Sequence, residues 1–322
     1  MAVILTVATG CDNVAWGGVE VELMPPPTAV VGGGEDPDPA GGTETPRRVR
    51  GPLLLAGVRE GSQATLTVVG EVRGDSVTAF PDPAEPDDPE RVAELMAVGS
   101  EWILFAEGVR VGRLQADRSG TSDEYCTPRA FVSGVVELVP DAGGVERLLA
   151  LPASVGEERP YRDYAALSRD YDQGVATLTI AQQVIPRVGA PWPAEGLLAA
   201  RQDIQAFQPH GLEGQAVAAT FLYRDQLAVA PPGQGAYAVF VLGTPAGSGY
   251  REGYSWYRAV ATDGKGVPTY FAHLDWDGDG DSEILLDVLG SNRRWHAGLS
   301  QRQGEWVRTF QHACGSGSSA GG

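Results

Sequence analysis

The segment PTYFAHLDWDGDGDSEILLDVL (268–289) contains a dense acidic turn between two apolar stretches. Carboxylates occupy every second position from Asp275 to Glu283, and glycines stand at 278 and 280. Glycine permits the sharp backbone bends that a tight ion-binding turn requires. Ca²⁺ is a hard cation that takes about six to eight oxygen ligands, mostly from carboxylates and carbonyls. The segment therefore predicts a strand, a calcium-binding loop and a second strand.

An acidic surface turn without a metal is the alternative to a calcium loop. It is the weaker interpretation, because closely spaced carboxylates repel one another when no cation lies between them. The helical EF-hand is also a poor match, since its twelfth loop position requires a bidentate Glu and here that position is Leu286. The residues that follow, ILLDVLG, indicate a strand rather than a helix.

The arrangement DxDGDGxxE followed by an apolar strand resembles the loop of FG-GAP or VCBS-type β-propeller repeats. That resemblance implies a Ca²⁺ cofactor. We expect its role to be structural, because the loop supplies the ligands itself and leaves little of the ion for a substrate. The resemblance extends over about 45 residues. These residues end in a hairpin that we expect to turn near Gln303-Gly304, and together they correspond to one propeller blade. The chain has no second DxDGDG loop, so we favour a different β fold over a complete propeller. The implied side-chain ligands are Asp275, Asp277, Asp279 and Glu283, with Asp281 as a backbone ligand.

Composition favours a mainly β protein with a few short helices. The 322 residues include 43 Gly and 23 Pro, too many for a helical bundle and typical of short strands joined by turns. We expect antiparallel sheets, either sandwich-like or with a degenerate propeller-like C-terminal part. The formal charge of −18 repels nucleic acid phosphates, so no nucleic-acid partner is expected.

β-branched and aromatic runs separated by turn residues predict most of the strands. Glu107-Gly108 is expected to be a hairpin turn, and Asp87 or Asp88 is expected to cap a helix that has Pro89 in its first turn. Residues 175–185 (VATLTIAQQVI) fit a strand or a helix, and we predict a strand. The predicted strands are 53–58, 64–72, 102–114, 130–139, 216–225, 236–243 and a series from Trp256 onward; further helices are predicted at 161–171 and 195–201.

The first residues, MAVILTVATGC (1–11), end in small residues directly before Cys11. Ala8-Thr9-Gly10-Cys11 resembles the lipobox of bacterial lipoproteins, which implies cleavage before the cysteine and a diacylglycerol on its sulfur. The apolar run is short for a signal peptide and has no preceding Lys or Arg, and a buried first strand is the alternative. We expect a lipid anchor at Cys11 as the membrane contact, and a location in the cell envelope on the periplasmic or surface side.

The other two cysteines, Cys126 and Cys314, are predicted to form a disulfide, since paired cysteines in an exported protein usually do. Two unpaired thiols are the alternative. We divide the chain into a signal remnant (1–11), a Pro/Gly-rich acidic tether (12–50), a β-rich subdomain with one helix (51–155), a mixed then β-rich subdomain carrying the calcium loop (156–312) and a flexible tail (313–322).

Motifs for catalysis are not evident. The sequence has no HExxH, GxSxG, Walker or dinucleotide-binding pattern, and its four histidines are scattered. We therefore predict a non-catalytic calcium-binding envelope lipoprotein with a binding or structural role and a protein or glycan partner. The alternatives are a secreted or surface hydrolase, with glycans as its candidate substrates, and a propeller-like adhesion module. An aromatic group that includes Tyr250, Tyr254, Trp256, Tyr257, Tyr270 and Phe271 suits a sugar-stacking face or, more simply, a β core.

Overall fold

The computed structural model describes residues 50–80, 88–159 and 162–312. The predicted lipidation site Cys11, nearly all of the predicted tether and Cys314 lie outside these ranges. Within them, antiparallel sheets dominate and the helices are short and few, so the predicted mainly β fold class is confirmed.

The first half of the described chain forms a closed six-stranded barrel. The strand order is β1-β7-β4-β5-β6-β2, and pairing of β1 with β2 closes the ring. The short strand β3 pairs antiparallel with the end of β2. Side chains alternate between the two faces of β1, as in any strand of a closed barrel. Leu53 and Leu55 point into the barrel, and Leu54 and Ala56 point outward. The strands are β1 Leu53–Glu60, β2 Gln63–Arg73, β3 Ser76–Thr78, β4 Glu101–Ala106, β5 Val109–Ser122, β6 Arg129–Leu138 and β7 Arg147–Pro152.

The second half forms two four-stranded antiparallel meanders. One has the order β11-β10-β9-β8 and the other the order β12-β13-β14-β15. The last hairpin of the second meander turns at Gln303-Gly304 as predicted. The strands are β8 Arg201–Phe207, β9 Ala216–Tyr223, β10 Tyr237–Ala246, β11 Gly249–Ala259, β12 Val267–Leu274, β13 Glu283–Leu289, β14 Arg294–Arg302 and β15 Glu305–Gln311.

The β12–β15 meander lies between the barrel and the other meander, and so it is buried on both faces. Leu285 packs with the outward-facing residues of the barrel, whereas Ile284 and Leu286 pack against the β8–β11 meander. All three side chains are fully buried. Burying such a side chain stabilises a fold by about 1.5–3 kcal/mol. This position accounts for the continuous apolar run after the acidic turn.

Helices pack against these sheets, and Val92 and Leu95 of the first helix pack against the barrel interior. Helix α1 (Asp88–Leu95) confirms the prediction of a helix at Pro89. The short helices are α2 (Ala153–Gly156), α4 (Leu197–Ala200) and α5 (Val260–Asp263), with a 3₁₀ turn at Pro140–Ala142.

The strand predicted at 175–185 is wrong, because this segment belongs to helix α3 (Tyr171–Arg187). Its buried face is formed by Thr177, Ile180, Ala181, Val184 and Ile185, which recur with helical spacing and cover β9 and β10. The helix predicted at 161–171 is also wrong. Residues 162–170 have irregular backbone, and the helix begins only after Asp170, whose side chain caps it.

Candidate metal centre

The acidic loop connects the last residue of β12, Leu274, to the first residue of β13, Glu283. Because both strands are hydrogen-bonded into the central meander, the ends of the loop are held at neighbouring positions of the sheet. Carboxylate oxygens of Asp275, Asp277 and Glu283 lie within 4.8 Å of one another. The fold therefore brings together three carboxylates from the two ends of one turn.

Side chains of the loop accept hydrogen bonds from its own backbone. The two oxygens of Asp275 accept from the N–H groups of Gly278 at 2.6 Å and Gly280 at 3.1 Å. Asp277 Oδ1 accepts from Asp279 N–H at 3.2 Å. The backbone folds over Asp275 through two left-handed glycines, with φ of +88° at Gly278 and +101° at Gly280. A side chain at either position would strain the turn.

Glu283 is the buried member of the triad, with 2% of its surface exposed. Its Oε2 accepts a hydrogen bond from the backbone N–H of Trp276 at 3.0 Å. Burial, reinforced by the charges of Asp277 and Asp275, raises the pKa of Glu283 to about 9. Burial and the nearby carboxylates of Asp279 and Asp275 also raise the pKa of Asp277. The site thus disfavours negative charge unless a cation compensates it.

Arg159 contributes positive charge and a structural contact. Its guanidinium donates to the carbonyl oxygen of Trp276 at 2.7 Å and lies 3.6 Å from Asp275 Oδ1. A Cβ at Gly278 would approach Arg159 Nη1 to 2.7 Å, so a side chain there would displace the arginine. Arg159 is distant in sequence, and the loop motif gave no signal of its role.

Trp276 anchors the loop to the barrel side of the meander. Its side chain is fully buried, and its ring centroid lies 6.1 Å from that of Phe310. It belongs to the apolar cluster formed by the outer barrel face and the central meander. An apolar anchor between Asp275 and Asp277 restricts the directions in which their carboxylates point.

The connection between β8 and β9 supports the other side of the loop. Ser282 and His210 exchange two hydrogen bonds, from Ser282 N–H to His210 O at 3.1 Å and from His210 N–H to Ser282 Oγ at 2.9 Å. Gly211 has φ of +80°, and a Cβ there would meet Asp281 Oδ1 at 1.9 Å. The first connections of the two meanders therefore touch each other.

The remaining predicted ligands, Asp279 and Asp281, lie outside the triad. Both are exposed, and Asp279 Oδ1 accepts from Asp281 N–H at 2.9 Å. Asp279 is close enough to act electrostatically on Glu283. That Asp279 is a side-chain ligand, and that Asp281 provides its carbonyl oxygen, both stay predictions.

A second buried polar group lies at the end of β12, directly before the acidic loop. His273 Nδ1 is 2.7 Å from the Tyr270 hydroxyl, and His273 Nε2 is 3.1 Å from the Gln208 carbonyl oxygen. Burial lowers the pKa of His273 to about 3, so this histidine is neutral.

At the β4–β5 turn, Glu107 has φ of +49°, and burial raises its pKa to about 7. The predicted Glu107-Gly108 turn is confirmed, but the burial of its carboxyl group was not foreseen.

The aromatic residues from Tyr250 to Phe271 do not form a shared face. Trp256 and Tyr270 are buried in the core between the meanders, and Phe271 is buried on the barrel side. Tyr257 packs instead with the cluster beneath helix α3. Trp256, Tyr270 and Phe271 are therefore core residues, as the simpler interpretation of the sequence proposed.

No protein-family model, curated protein or solved structure matches this chain. Among the described residues, no helix has the length and apolar character needed to cross a membrane. The chemistry available at the site is that of three converging carboxylates beside an arginine, which suits binding of a hard divalent cation.

Proposed function

We propose that this chain is an exported calcium-binding protein of the cell envelope with a binding or structural role rather than a catalytic one. One observation carries the proposal: carboxylate oxygens of Asp275, Asp277 and Glu283 lie within 4.8 Å of one another. Hard oxygen ligands at such spacing are those that Ca²⁺ prefers. The loop belongs to the central meander, so a bound ion would join the ends of β12 and β13 and stabilise the fold.

Electrostatics supports a cation at this position. Three carboxylates share a partly buried turn, and within the described residues Arg159 forms the one ion pair with the loop. The raised pKa of Glu283 expresses the cost of an uncompensated charge there. A divalent ion would remove that cost by pairing with the ionised form of each carboxylate.

Thermal unfolding of the full chain in EDTA and in rising CaCl₂ tests the proposal. Calcium should raise the midpoint of the parent by several degrees, because a ligand that binds only the folded state stabilises it by mass action. The change Asp277→Asn removes a ligand charge from the triad and keeps a side chain of the same shape. We expect this variant to lose most of the response.

The matched control is Glu101→Gln, which neutralises an exposed carboxylate on the barrel strand β4. It should respond to calcium as the parent does. Equal midpoints with and without calcium in the parent would refute the proposal. A response that persists unchanged in Asp277→Asn would place the calcium elsewhere in the protein.

Lipidation at Cys11 and location in the cell envelope are part of the same proposal, supported by the lipobox-like sequence before that cysteine. A Cys11→Ser variant tests it in a bacterial host that processes lipoproteins. The parent should incorporate a labelled fatty acid and sediment with membranes, and the variant should do neither. An unlabelled parent would exclude the anchor.

A disulfide between Cys126 and Cys314 is supported by the path of two chain segments along β14. Cys126 N–H donates to Arg294 O at 3.2 Å, and His312 N–H donates to His296 O at 3.1 Å. The carbonyl groups of Arg294 and His296 are two positions apart, so they point to the same edge of β14. The segments that contain Cys126 and His312 therefore lie next to each other along that edge. Peptide mapping without reduction should recover the two cysteines as one linked species, and two alkylated peptides would exclude the bond.

A further inference from the structure

A cleft of about 830 Å³ lies beside the barrel, and none of its lining residues belongs to the acidic loop. Its volume falls in the range of small-molecule sites, about 300–1,000 Å³. One wall is the outer face of β2, β6 and β5, and the opposite wall includes Tyr125, Phe271 and Arg294. We infer that this cleft binds a neutral oligosaccharide. The inference rests on the proposed binding role but not on the calcium site.

Strand register builds a flat platform on the barrel wall of the cleft. Phe131 of β6 pairs with Thr67 on one side and Gly120 on the other. The Phe131 ring lies over Gly120, since a Cβ at that position would approach two ring carbons to 2.9 Å. Glycine therefore leaves room for the ring to lie across the sheet. A ring in this position can present its electron-rich face to the C–H groups of a sugar.

Hydrogen-bonding groups form the next row of the same face. Ser133 pairs with Thr65 and with Arg118, two positions along from Phe131. The Thr65 and Ser133 hydroxyls are 2.9 Å apart, and Arg118 Nη2 donates to Ser133 Oγ at 3.4 Å. In the described structure this is the one side-chain hydrogen bond of Arg118. Its other N–H groups and the Thr65 hydroxyl are suited to the hydroxyls of a sugar, which both donate and accept.

Local charge favours a neutral ligand over an anion. Arg294 also lines the cleft, but its guanidinium is paired with the Asp287 carboxylate. Glu60, Asp123 and Glu124 line the same cleft and repel phosphate or carboxylate groups. A lipid is disfavoured because hydroxyls and charged groups make up much of the lining. A neutral polyhydroxyl ligand with one apolar face can stack on the Phe131 ring and form hydrogen bonds with the neighbouring row of polar groups.

The test is binding of cellotriose, xylotriose, maltotriose and chitotriose to the full chain, measured by saturation-transfer NMR and calorimetry. At least one of these should bind the parent. Phe131→Ala and Arg118→Ala should each weaken that binding about tenfold, equivalent to about 1.4 kcal/mol. Gly120→Ala should also weaken binding, because a methyl group there displaces the ring while leaving Phe131 in place.

The control is Arg113→Ala, which removes another arginine of β5 whose ion-pair partner is Glu137. It should bind the sugar as the parent does. Thermal midpoints of all variants establish that they are folded. Absence of binding by all four sugars would overturn the inference, as would unchanged affinity in Phe131→Ala and Arg118→Ala. Preferential binding of tetramethylammonium would also overturn it, in favour of a cation on the ring.

The two proposals fail independently. Sugar binding without any effect of calcium on the thermal midpoint would support the cleft and refute the metal site. A calcium response in a protein that binds none of the sugars would do the reverse.

Discussion

The Ser282 side chain accepts a hydrogen bond from the backbone N–H of His210, with 2.9 Å between nitrogen and Oγ. The two residues lie in the first connections of the two meanders, and a backbone bond from Ser282 N–H to His210 O reinforces the contact. Ser282 is buried, so its hydroxyl is sequestered from water. This contact holds the end of the acidic loop against the neighbouring meander.

We expect Ser282→Ala to reduce the free energy of unfolding by about 0.5–1.5 kcal/mol, because the partly buried His210 N–H loses its acceptor. The change should also weaken calcium binding, since the loop is less well held. Urea unfolding in EDTA measures the first effect, and a calcium titration measures the second. Ser248→Ala, in the exposed β10–β11 turn, is the control and should change neither.

Acidification should destabilise the protein through buried neutral histidines. Burial, with the nearby charge of Arg129, lowers the pKa of His312 to about 3, below its ordinary value of 6.5. Burial also lowers the pKa of His296 well below that value. The unfolded chain therefore binds more protons between these pH values, so stability is fully present above about pH 6.5 and falls as the pH drops.

The expected slope is up to about 1.4 kcal/mol per pH unit for each histidine. His312→Asn keeps an acceptor near the position of Nδ1, which receives the His296 N–H at 3.3 Å, and removes the titration. Urea unfolding at pH 7 and pH 5 should show a smaller loss in this variant than in the parent. Equal losses would mean that His312 does not contribute.

The single lysine of the chain forms a buried ion pair. Lys265 Nζ lies 2.7 Å from Asp225 Oδ1, and the two side chains are 0% and 2% exposed. Lys265→Met should cost about 3–5 kcal/mol of unfolding free energy, because it leaves the buried Asp225 carboxylate without its cationic partner. The double variant Lys265→Met, Asp225→Leu should be more stable than the single variant, since both charges are then absent.

The exposed pair of Arg302 and Asp75 provides the comparison for this ion pair. Arg302→Met should cause a much smaller loss, because solvent screens an exposed pair. Chemical denaturation of the four proteins decides between these expectations. If Lys265→Met lowers the free energy of unfolding by no more than Arg302→Met does, the buried lysine contributes no more to stability than the exposed arginine.

Helix α3 should depend on its capping residue. Asp170 Oδ1 accepts from Gln173 N–H at 2.7 Å, and Gln173 Oε1 accepts from Asp170 N–H at 2.9 Å. Asp170→Ala should reduce the unfolding free energy by about 1 kcal/mol. Asp163→Ala makes the same chemical change in exposed irregular backbone and should have little effect. Comparable losses in both variants would argue against a capping role.

Local pattern predicted most of the barrel strands and the last meander, because their hydrophobic residues and turn glycines lie within short stretches, but it did not identify β7 of the barrel. The hairpin turns at Glu107-Gly108 and Gln303-Gly304 were found in this way. Residues 175–185 were misassigned because β-branched residues favour strands. A capping pair of Asp170 and Gln173 and the helical spacing of Thr177, Ile180 and Ala181 were the signals in favour of a helix.

The acidic loop and its candidate ligands are determined by the sequence alone, because every member lies within a few residues of the others between Asp275 and Glu283. Tertiary structure decided which carboxylates converge, how deeply Glu283 is buried, and that Arg159 and His210 support the turn. It also decided the closure of the barrel and the alignment of Thr65, Ser133 and Arg118 beside Phe131. These features depend on pairing between strands distant in the chain, and a local pattern contains no information about which strands become neighbours.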